Sequence, residues 1–231
     1  MPVSKKLKKY IGLAGILFLF PLLWLVFFGV MGKHKFKTLP YYSPTGVSDS
    51  SEYILPDFAF ADETGAIITR DSLLGNVWIA ACYNLGDPHI ALITERLLNV
   101  NFKYRNESDI AIVVFSTDCN YDQPALTAAY VEQNTRYNAF PNKWKILTGE
   151  QEAMQAYIRN GLLIRDRSKE AIFKLIDAQG HIRGEYGNTE YHFLGGGGDS
   201  IPGLVQDVAL LKKEIDLQRY HEKKAKEHQD H

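Results

Sequence analysis

Cysteine and net charge are both scarce in this chain. Its 231 residues include two cysteines, Cys82 and Cys119, which are too few for a disulfide framework and lack the spacing of a zinc site. The 26 Lys and Arg residues nearly balance the 27 Asp and Glu residues, so the formal net charge is −1. Nucleic-acid-binding domains concentrate positive charge on one face, and this composition gives no support for that class. The 45% hydrophobic share, with 13 Tyr and 12 Phe, is enough to build the core of one domain.

One long apolar run stands near the N-terminus. Residues Ile11–Met31 contain no charged side chain, and as a helix they would span about 31 Å, close to the hydrocarbon thickness of a bilayer. A cleaved signal peptide is the rival interpretation, but its apolar stretch is shorter and ends in small residues. No Ala-x-Ala-like site follows Met31, and no cysteine is present there for lipid attachment. The run therefore predicts an uncleaved transmembrane anchor.

The charges beside this run predict its orientation. Residues 1–10 are basic, which favours a cytoplasmic N-terminus, although Lys33, Lys35 and Lys37 on the other side make the bias slight. The position at the start of the chain favours a signal anchor that exports everything after it. We therefore expect a single-pass protein of the cytoplasmic membrane, with its main domain outside, in the periplasm of a Gram-negative source.

The exported part begins with residues 32–54, which lack apolar periodicity and are interpreted as a linker. Residues 55–217 alternate apolar strands with amphipathic helices, and 218–231 form a charged tail. The order of elements predicts an α/β, thioredoxin-like fold, a central mixed sheet flanked by helices. The predicted strands are Val77–Tyr83, Asp109–Thr117, Trp144–Leu147, Ala171–Asp177 and His181–Tyr186, and the predicted helices are Ile90–Leu98, Pro124–Tyr137, Glu150–Asn160 and Ile201 to about Tyr220.

Five segments in the correct order resemble the Sco/SenC family, membrane-anchored thioredoxin-like proteins that assist copper insertion into cytochrome c oxidase. Each segment is a weak signal alone, but together they cover about residues 54–217 and imply the fold of that family. The segments are Leu55-Pro56-Asp57-Phe58, Asp71-Ser72-Leu73-Leu74-Gly75-Asn76-Val77-Trp78, Ser116-Thr117-Asp118-Cys119-Asn120-Tyr121-Asp122-Gln123-Pro124, Trp144-Lys145-Ile146-Leu147-Thr148-Gly149 and Leu175-Ile176-Asp177-Ala178-Gln179-Gly180.

The resemblance also implies a copper and thiol site that this sequence does not reproduce. The family carries Cys-x-x-x-Cys after the first core strand and a His just before the later hairpin. Matching the segments places Asp87 and Ala91 at the two cysteine positions, and the expected histidine falls near Lys169. Two thiolates and one imidazole make a soft site suited to copper. The resemblance therefore implies a degenerate member without these ligands, with no catalytic, cofactor or metal residue.

Other residues are weaker candidates for chemistry. Cys82 lies in an apolar strand, where a cysteine usually acts as a small buried hydrophobe. Cys119 is expected about 10 Å farther along a neighbouring strand, too far for a disulfide, so both thiols are predicted to be free. Asp87 and His89, with Asp122, could form a harder metal site, although an Asp before Pro more often caps a helix.

The remaining candidates have simpler interpretations than a site. His181 and His192 are expected at the surface, and the histidines of the charged tail in a solvated, fraying helix end. The glycine-rich stretch 195–202 leads into a helix but lacks the ending of a nucleotide-binding loop, so it is interpreted as a flexible loop with a helix cap.

These observations lead to one functional hypothesis and two alternatives. We expect a non-catalytic accessory or assembly factor of a respiratory oxidase, with no cofactor, acting through contacts with oxidase subunits or assembly factors. One alternative is an atypical copper-binding or thiol-redox protein that uses Cys82 or Cys119. The other is a structural subunit of another membrane complex.

Overall fold

The computed structural model describes Pro21, Leu23, Trp24 and residues 38–50, 52–83, 90–116, 143–165, 171–187 and 201–229. The chain divides into two compact units, Met1–Thr38 and Leu39–His231. In the first unit, Pro21, Leu23 and Trp24 are helical and exposed, and the rest of the predicted anchor lies outside the described residues. Within the described ranges, no helix combines the length and apolar character needed to cross a membrane.

The second unit contains a mixed sheet. The described strands are β1 Tyr41–Ser43, β2 Gly46–Ser48, β3 Ala59–Ala61, β4 Ile67–Thr69, β5 Val77–Tyr83, β6 Ile110–Ser116, β7 Trp144–Leu147, β8 Ala171–Ile176 and β9 Ile182–Gly187. Among the described residues, seven of these strands pair in the order β2–β1–β9–β8–β5–β6–β7, and β3 and β4 form a separate hairpin. β5, β6 and β7 are parallel to one another, whereas β8 is antiparallel to both β5 and β9.

Four helices belong to this described part of the second unit. They are α1 Arg70–Leu73, α2 Ile90–Lys103, α3 Gln151–Ala156, which continues into a wider π turn at Tyr157–Gly161, and α4 Ile201–Gln229. α4 is longer than predicted, because the residues from 218 onward continue the helix as far as Gln229. The predicted helix Pro124–Tyr137 lies outside the described residues.

The central strand β5 is apolar along its whole length because both of its faces are covered. Val77, Ile79 and Ala81 pack in one core cluster with side chains of α2 and α4. Trp78 and Ala80 point to the opposite face, into a second cluster rich in aromatic rings. All five side chains are at most 1% exposed. A continuous apolar strand is typical of a sheet covered on both faces, so the prediction of a strand at Val77–Tyr83 is confirmed, with the side chains of residues 77–82 buried.

The predicted linker 32–54 contains regular structure that its sequence does not indicate. β1 and β2 form an antiparallel hairpin within it, and Tyr42 pairs with Ile182 at the start of β9. The hairpin thereby extends the main sheet on the β9 side. A strand of three residues is too short to show an alternating pattern, which is why the linker interpretation missed it.

Candidate functional site

The carboxyl ends of β5 and β6 meet at one edge of the main sheet, and α2 begins nearby. The two strands are parallel neighbours, with Cys82 opposite Phe115 in the register. α2 starts at Ile90, shortly after β5 ends, so Ala91 lies in its first turn. The strand Val77–Tyr83 and a helix that starts at Ile90 are therefore present as predicted, and the turn between them, residues 84–89, lies outside the described residues.

Most of the candidate residues that the sequence singled out lie outside the described residues. They are Asp87, His89, Cys119, Asp122, Lys169 and His192, together with the glycine-rich stretch 195–200. Among the residues that the structure does describe, no group of three or more His, Cys, Asp or Glu side chains is placed to hold a metal ion. The assignment of Asp87, Ala91 and Lys169 to the ligand positions stays a prediction.

Cys82 lies in the interior, with 4% of its surface exposed. It belongs to the aromatic cluster and is flanked in the sheet by Phe115 and Ile172. This environment is the one expected of a small buried side chain, whereas reactive cysteines lie in partly exposed, electropositive surroundings. The predicted separation of Cys82 from Cys119 is untested, because Cys119 lies outside the described residues.

Aromatic rings fill the core on the Cys82 side of the sheet. The ring centroids of Phe58 and Tyr157 are 4.8 Å apart, and the rings of Phe115 and Tyr157 stack at 5.6 Å. Phe60 and Trp78 complete the group. The Tyr157 hydroxyl is buried without a hydrogen-bond partner among the described residues, and burial raises the pKa of Tyr157. The side of the core next to Cys82 is thus a densely packed apolar structure.

The Tyr157 ring packs directly against the backbone of Gly161. A Cβ at Gly161 would lie 2.8 Å from Cε2 of Tyr157 and 3.2 Å from Cγ of Pro56, so a larger residue there would displace the ring. The Tyr53 hydroxyl donates a hydrogen bond of 2.7 Å to the Gly161 carbonyl oxygen. The π turn and the segment that leads into β3 are thereby locked together.

A buried arginine that the sequence pattern did not reveal connects three distant parts of the chain. Arg183, 4% exposed, donates hydrogen bonds to the Leu39 carbonyl oxygen at 2.8 Å and to the carboxylates of Asp177 at 3.1 Å and Glu214 at 3.3 Å. Its guanidinium lies 4.1 Å from the centroid of the Tyr41 ring. The cluster joins β1, the β8–β9 turn and α4.

His181 lies in the same cluster and is not the surface residue that the sequence suggested. Its side chain is only 18% exposed, and Nδ1 lies 3.2 Å from each carboxylate oxygen of Asp177. The ring also meets the Tyr41 ring edge-on, with centroids 5.4 Å apart. The cause is the tight β8–β9 turn, which folds His181 back onto Asp177. This cluster is a structural junction, since its groups are bound to one another.

Comparison with solved structures identifies the fold. BsSco, a member of the Sco family of cytochrome c oxidase assembly proteins, is similar with a TM-score of 0.54 and 20% identity, over 68% of this chain and 92% of that one. Yeast Sco1 with copper bound gives 0.52 and 17%, over 69% and 92%. A putative protein disulfide isomerase from Bacteroides thetaiotaomicron gives 0.53 and 16%, over 80% and 100%. No family model and no curated protein matches the chain.

These similarities, at 20% identity or less, show a fold. The chain has the thioredoxin-like fold found in Sco proteins, and the resemblance predicted from the five segments is confirmed at that level. The same fold is shared with a putative disulfide isomerase. The fold alone therefore does not distinguish between copper chemistry, thiol chemistry and protein binding as the function. These functions differ in the side chains that they require at the carboxyl ends of β5 and β6.

Proposed function

We propose that this protein is a membrane-anchored Sco-like accessory or assembly factor of a respiratory oxidase that acts through protein contacts, without copper or thiol chemistry of its own. One observation carries the proposal: a Sco-like fold is combined with Asp87, Ala91 and Lys169 at the positions that the family resemblance assigns to the two cysteines and the histidine. BsSco, which has a similar fold, belongs to a family of cytochrome c oxidase assembly proteins, and this supports oxidase assembly as the process in which the protein takes part.

The donor set at these positions does not fit a copper ion. Copper in such a site prefers thiolate and imidazole ligands. Asp87 offers a hard carboxylate, Lys169 carries an ammonium group at neutral pH, and Ala91 has no donor atom. The nearby cysteine that the structure describes, Cys82, is 4% exposed and packed among apolar side chains. No copper-dependent step is assigned to this protein.

The apolar run Ile11–Met31 supports the membrane part of the proposal. Its length and lack of charge suit a single span, and the basic residues before it favour export of the domain. Leu23 and Trp24, described as helical, are 66% and 57% exposed. The protein would then work at the extracytoplasmic side of the cytoplasmic membrane, where parts of a respiratory oxidase are accessible.

Purification from membranes tests the oxidase assignment. The full-length protein, carrying an affinity tag, is solubilised in mild detergent from its source and compared with a tagged chain that ends at residue 54. Subunits or assembly factors of a haem–copper oxidase should co-purify with the full chain and not with the shortened one. Recovery of another membrane complex in their place would support the alternative of a structural subunit and overturn the proposal.

Copper titration tests the proposal that the protein has no copper site. Full-length protein in detergent should bind no stoichiometric Cu(I), and Cys82→Ser and Cys119→Ser should change nothing. The triple variant Asp87→Cys, Ala91→Cys, Lys169→His should gain one Cu(I) per chain, because it would restore the soft donor set. Stoichiometric binding by the natural sequence that either serine variant abolishes would establish the atypical copper protein instead.

A further inference from the structure

Strand β7 stands at one end of the main sheet among the described strands, so β6 pairs with only one of its two sides. The Ile112 N–H donates a hydrogen bond of 2.7 Å to the Lys143 carbonyl oxygen, and backbone groups alternate in direction along a strand. Those of Lys143 therefore point toward β6, whereas those of Trp144 and Ile146 point away from it. An outer side of this kind is a template on which another strand can pair.

The side chains of β7 make unwanted pairing more favourable. Trp144 is 6% exposed, and Ile146 and Leu147 are fully buried. The one charged residue of the strand, Lys145, donates a hydrogen bond of 3.0 Å to the buried carboxylate of Asp62. A free lysine often protects an edge strand by its charge, but here the charge is neutralised within the domain. Protection of this edge must therefore come from another group.

The β3–β4 hairpin begins to pair with the outer side of β7 and then stops. Ala61 and Thr148 exchange two backbone hydrogen bonds, one of 3.1 Å from the Ala61 N–H and one of 2.7 Å from the Thr148 N–H. In an antiparallel ladder, the next pair of this kind lies two residues farther along each strand, which would be Glu63 opposite Ile146. The backbone does not form that pair, because the chain turns back into β4 at this point.

The Glu63 side chain takes the place of the missing strand. Its Oε2 accepts a hydrogen bond of 2.9 Å from the Ile146 N–H, which is the bond that the carbonyl oxygen of residue 63 would accept in a continued ladder. A carboxylate accepts hydrogen bonds and donates none, so the ladder ends there. We call the Ala61 backbone and the Glu63 carboxylate together the edge cap.

The turn that carries Glu63 has a fixed position against β7. Oδ1 of Asp62 accepts hydrogen bonds from the Thr64 N–H at 2.9 Å and from the Thr64 hydroxyl at 2.6 Å. In β3, the Phe60 ring packs so closely on Gly149 that a Cβ at position 149 would lie 2.8 Å from its Cδ1. The hairpin thus holds the Glu63 carboxylate in front of the strand edge without a cost in order at the moment of contact.

We propose that the edge cap keeps this protein from pairing through β7 with a second copy of itself, and that this function depends on the Glu63 carboxylate. A second copy is the partner to exclude, because two antiparallel β7 strands present the same outward backbone groups to each other about a twofold axis. The inference concerns self-association of the domain, so its outcome does not depend on the oxidase assignment.

Self-association of the full-length protein in detergent tests the proposal. The natural sequence and Glu63→Ala are compared by size-exclusion chromatography with light scattering over a series of protein concentrations. Glu63→Ala should increase the fraction of dimer at low concentration by about tenfold, because the Ile146 N–H becomes free to pair with another strand. Equal association of the two proteins would overturn the proposal.

Hydrogen exchange at the Ile146 amide locates the contact. In dilute Glu63→Ala this amide should exchange about tenfold faster than in the natural sequence, and it should become protected as the concentration rises. The Ile112 amide, which is bound to Lys143 inside the sheet, should stay protected throughout and reports on the fold in the same sample. Association that leaves the Ile146 amide unprotected would contradict pairing through β7.

Two further variants are matched controls. Glu63→Gln keeps a side-chain oxygen that can accept the hydrogen bond from Ile146, so its dimer fraction should stay within about twofold of the natural level. Glu152→Ala removes the same charge from an exposed position in the first turn of α3, and it should leave association unchanged. If either control associated as strongly as Glu63→Ala, loss of charge would explain the result, and the edge cap would be refuted.

Discussion

The two halves of α4 have one backbone and opposite environments. In the inner half, Leu204, Val208, Leu211 and Ile215 are at most 5% exposed and complete one of the two core clusters. In the outer half, residues 216–227 are all exposed. The boundary is marked by Arg219, which binds Asp109. The comparison teaches that the inner half stabilises the domain, whereas the side chains of the outer half take no part in either core cluster.

Truncating a leucine in each half should give the largest contrast. Leu211→Ala removes a side chain that is 1% exposed, and we expect a loss of about 2–5 kcal/mol in the free energy of unfolding. Leu217→Ala, the same change at an exposed position, should cost no more than about 0.5 kcal/mol. Denaturant unfolding of both variants measures the difference. Equal losses would mean that the outer half packs on the domain.

Removing the charge of Asp109, which binds Arg219 at the boundary, should have an intermediate effect on the free energy of unfolding. Asp109→Asn would leave Arg219 and Lys212 without their shared carboxylate, and we expect a loss of about 1–3 kcal/mol at neutral pH. Asp216→Asn is the control. The Asp216 side chain is 53% exposed, so removal of its charge should lower the free energy of unfolding by less than about 1 kcal/mol.

The same aspartate predicts a pH dependence. Burial alone would raise the pKa of Asp109, but hydrogen bonds from Arg219 and Lys212 outweigh it and hold that pKa below its usual value. The folded state therefore binds this proton less readily than the unfolded state, so the stabilisation is complete above the unfolded pKa of about 3.9 and is lost as the pH falls through the lower, folded pKa. The stability gap between wild type and Asp109→Asn should shrink on acidification, measured by unfolding at pH 7 and pH 3. A constant gap would contradict this account.

Glycine substitutions at two exposed alanines should give the smallest and most local contrast. Ala209→Gly in the inner half should cost about 1 kcal/mol of global stability, because helix propensity there is coupled to the core. Ala225→Gly in the outer half should leave the unfolding midpoint unchanged and speed hydrogen exchange only in the amides around it. A shift of the global midpoint by Ala225→Gly would show that the outer half unfolds together with the domain.

The sequence was sufficient to predict the elements whose apolar pattern is continuous. Val77–Tyr83 could be identified as a buried strand because every side chain in it suits an interior. The extension of α4 to Gln229 could not, because its apolar periodicity ends with the core contacts. Lys174 shows a second limit: it is 1% exposed and pairs with Glu185, and only the register of β8 and β9 brings the two together.

Candidate sites were predictable to different degrees. The assignment of Asp87 and Ala91 to the ligand positions rests on the order of motifs and stays a prediction, because residues 84–89 lie outside the described part of the chain. The junction around Arg183 could not be predicted, since Leu39 and Glu214 reach it from opposite ends of the domain sequence.

The contact between Gly161 and the Tyr157 ring should restrict which residues can occupy positions 157 and 161 in related sequences. While an aromatic residue occupies position 157, a side chain at 161 would force its ring to shift, because a Cβ there would lie 2.8 Å from Cε2 of Tyr157. Replacement of Tyr157 by a small residue would remove that restriction and allow alanine to drift into position 161. The two positions should therefore change together among relatives, with the change at 157 coming first.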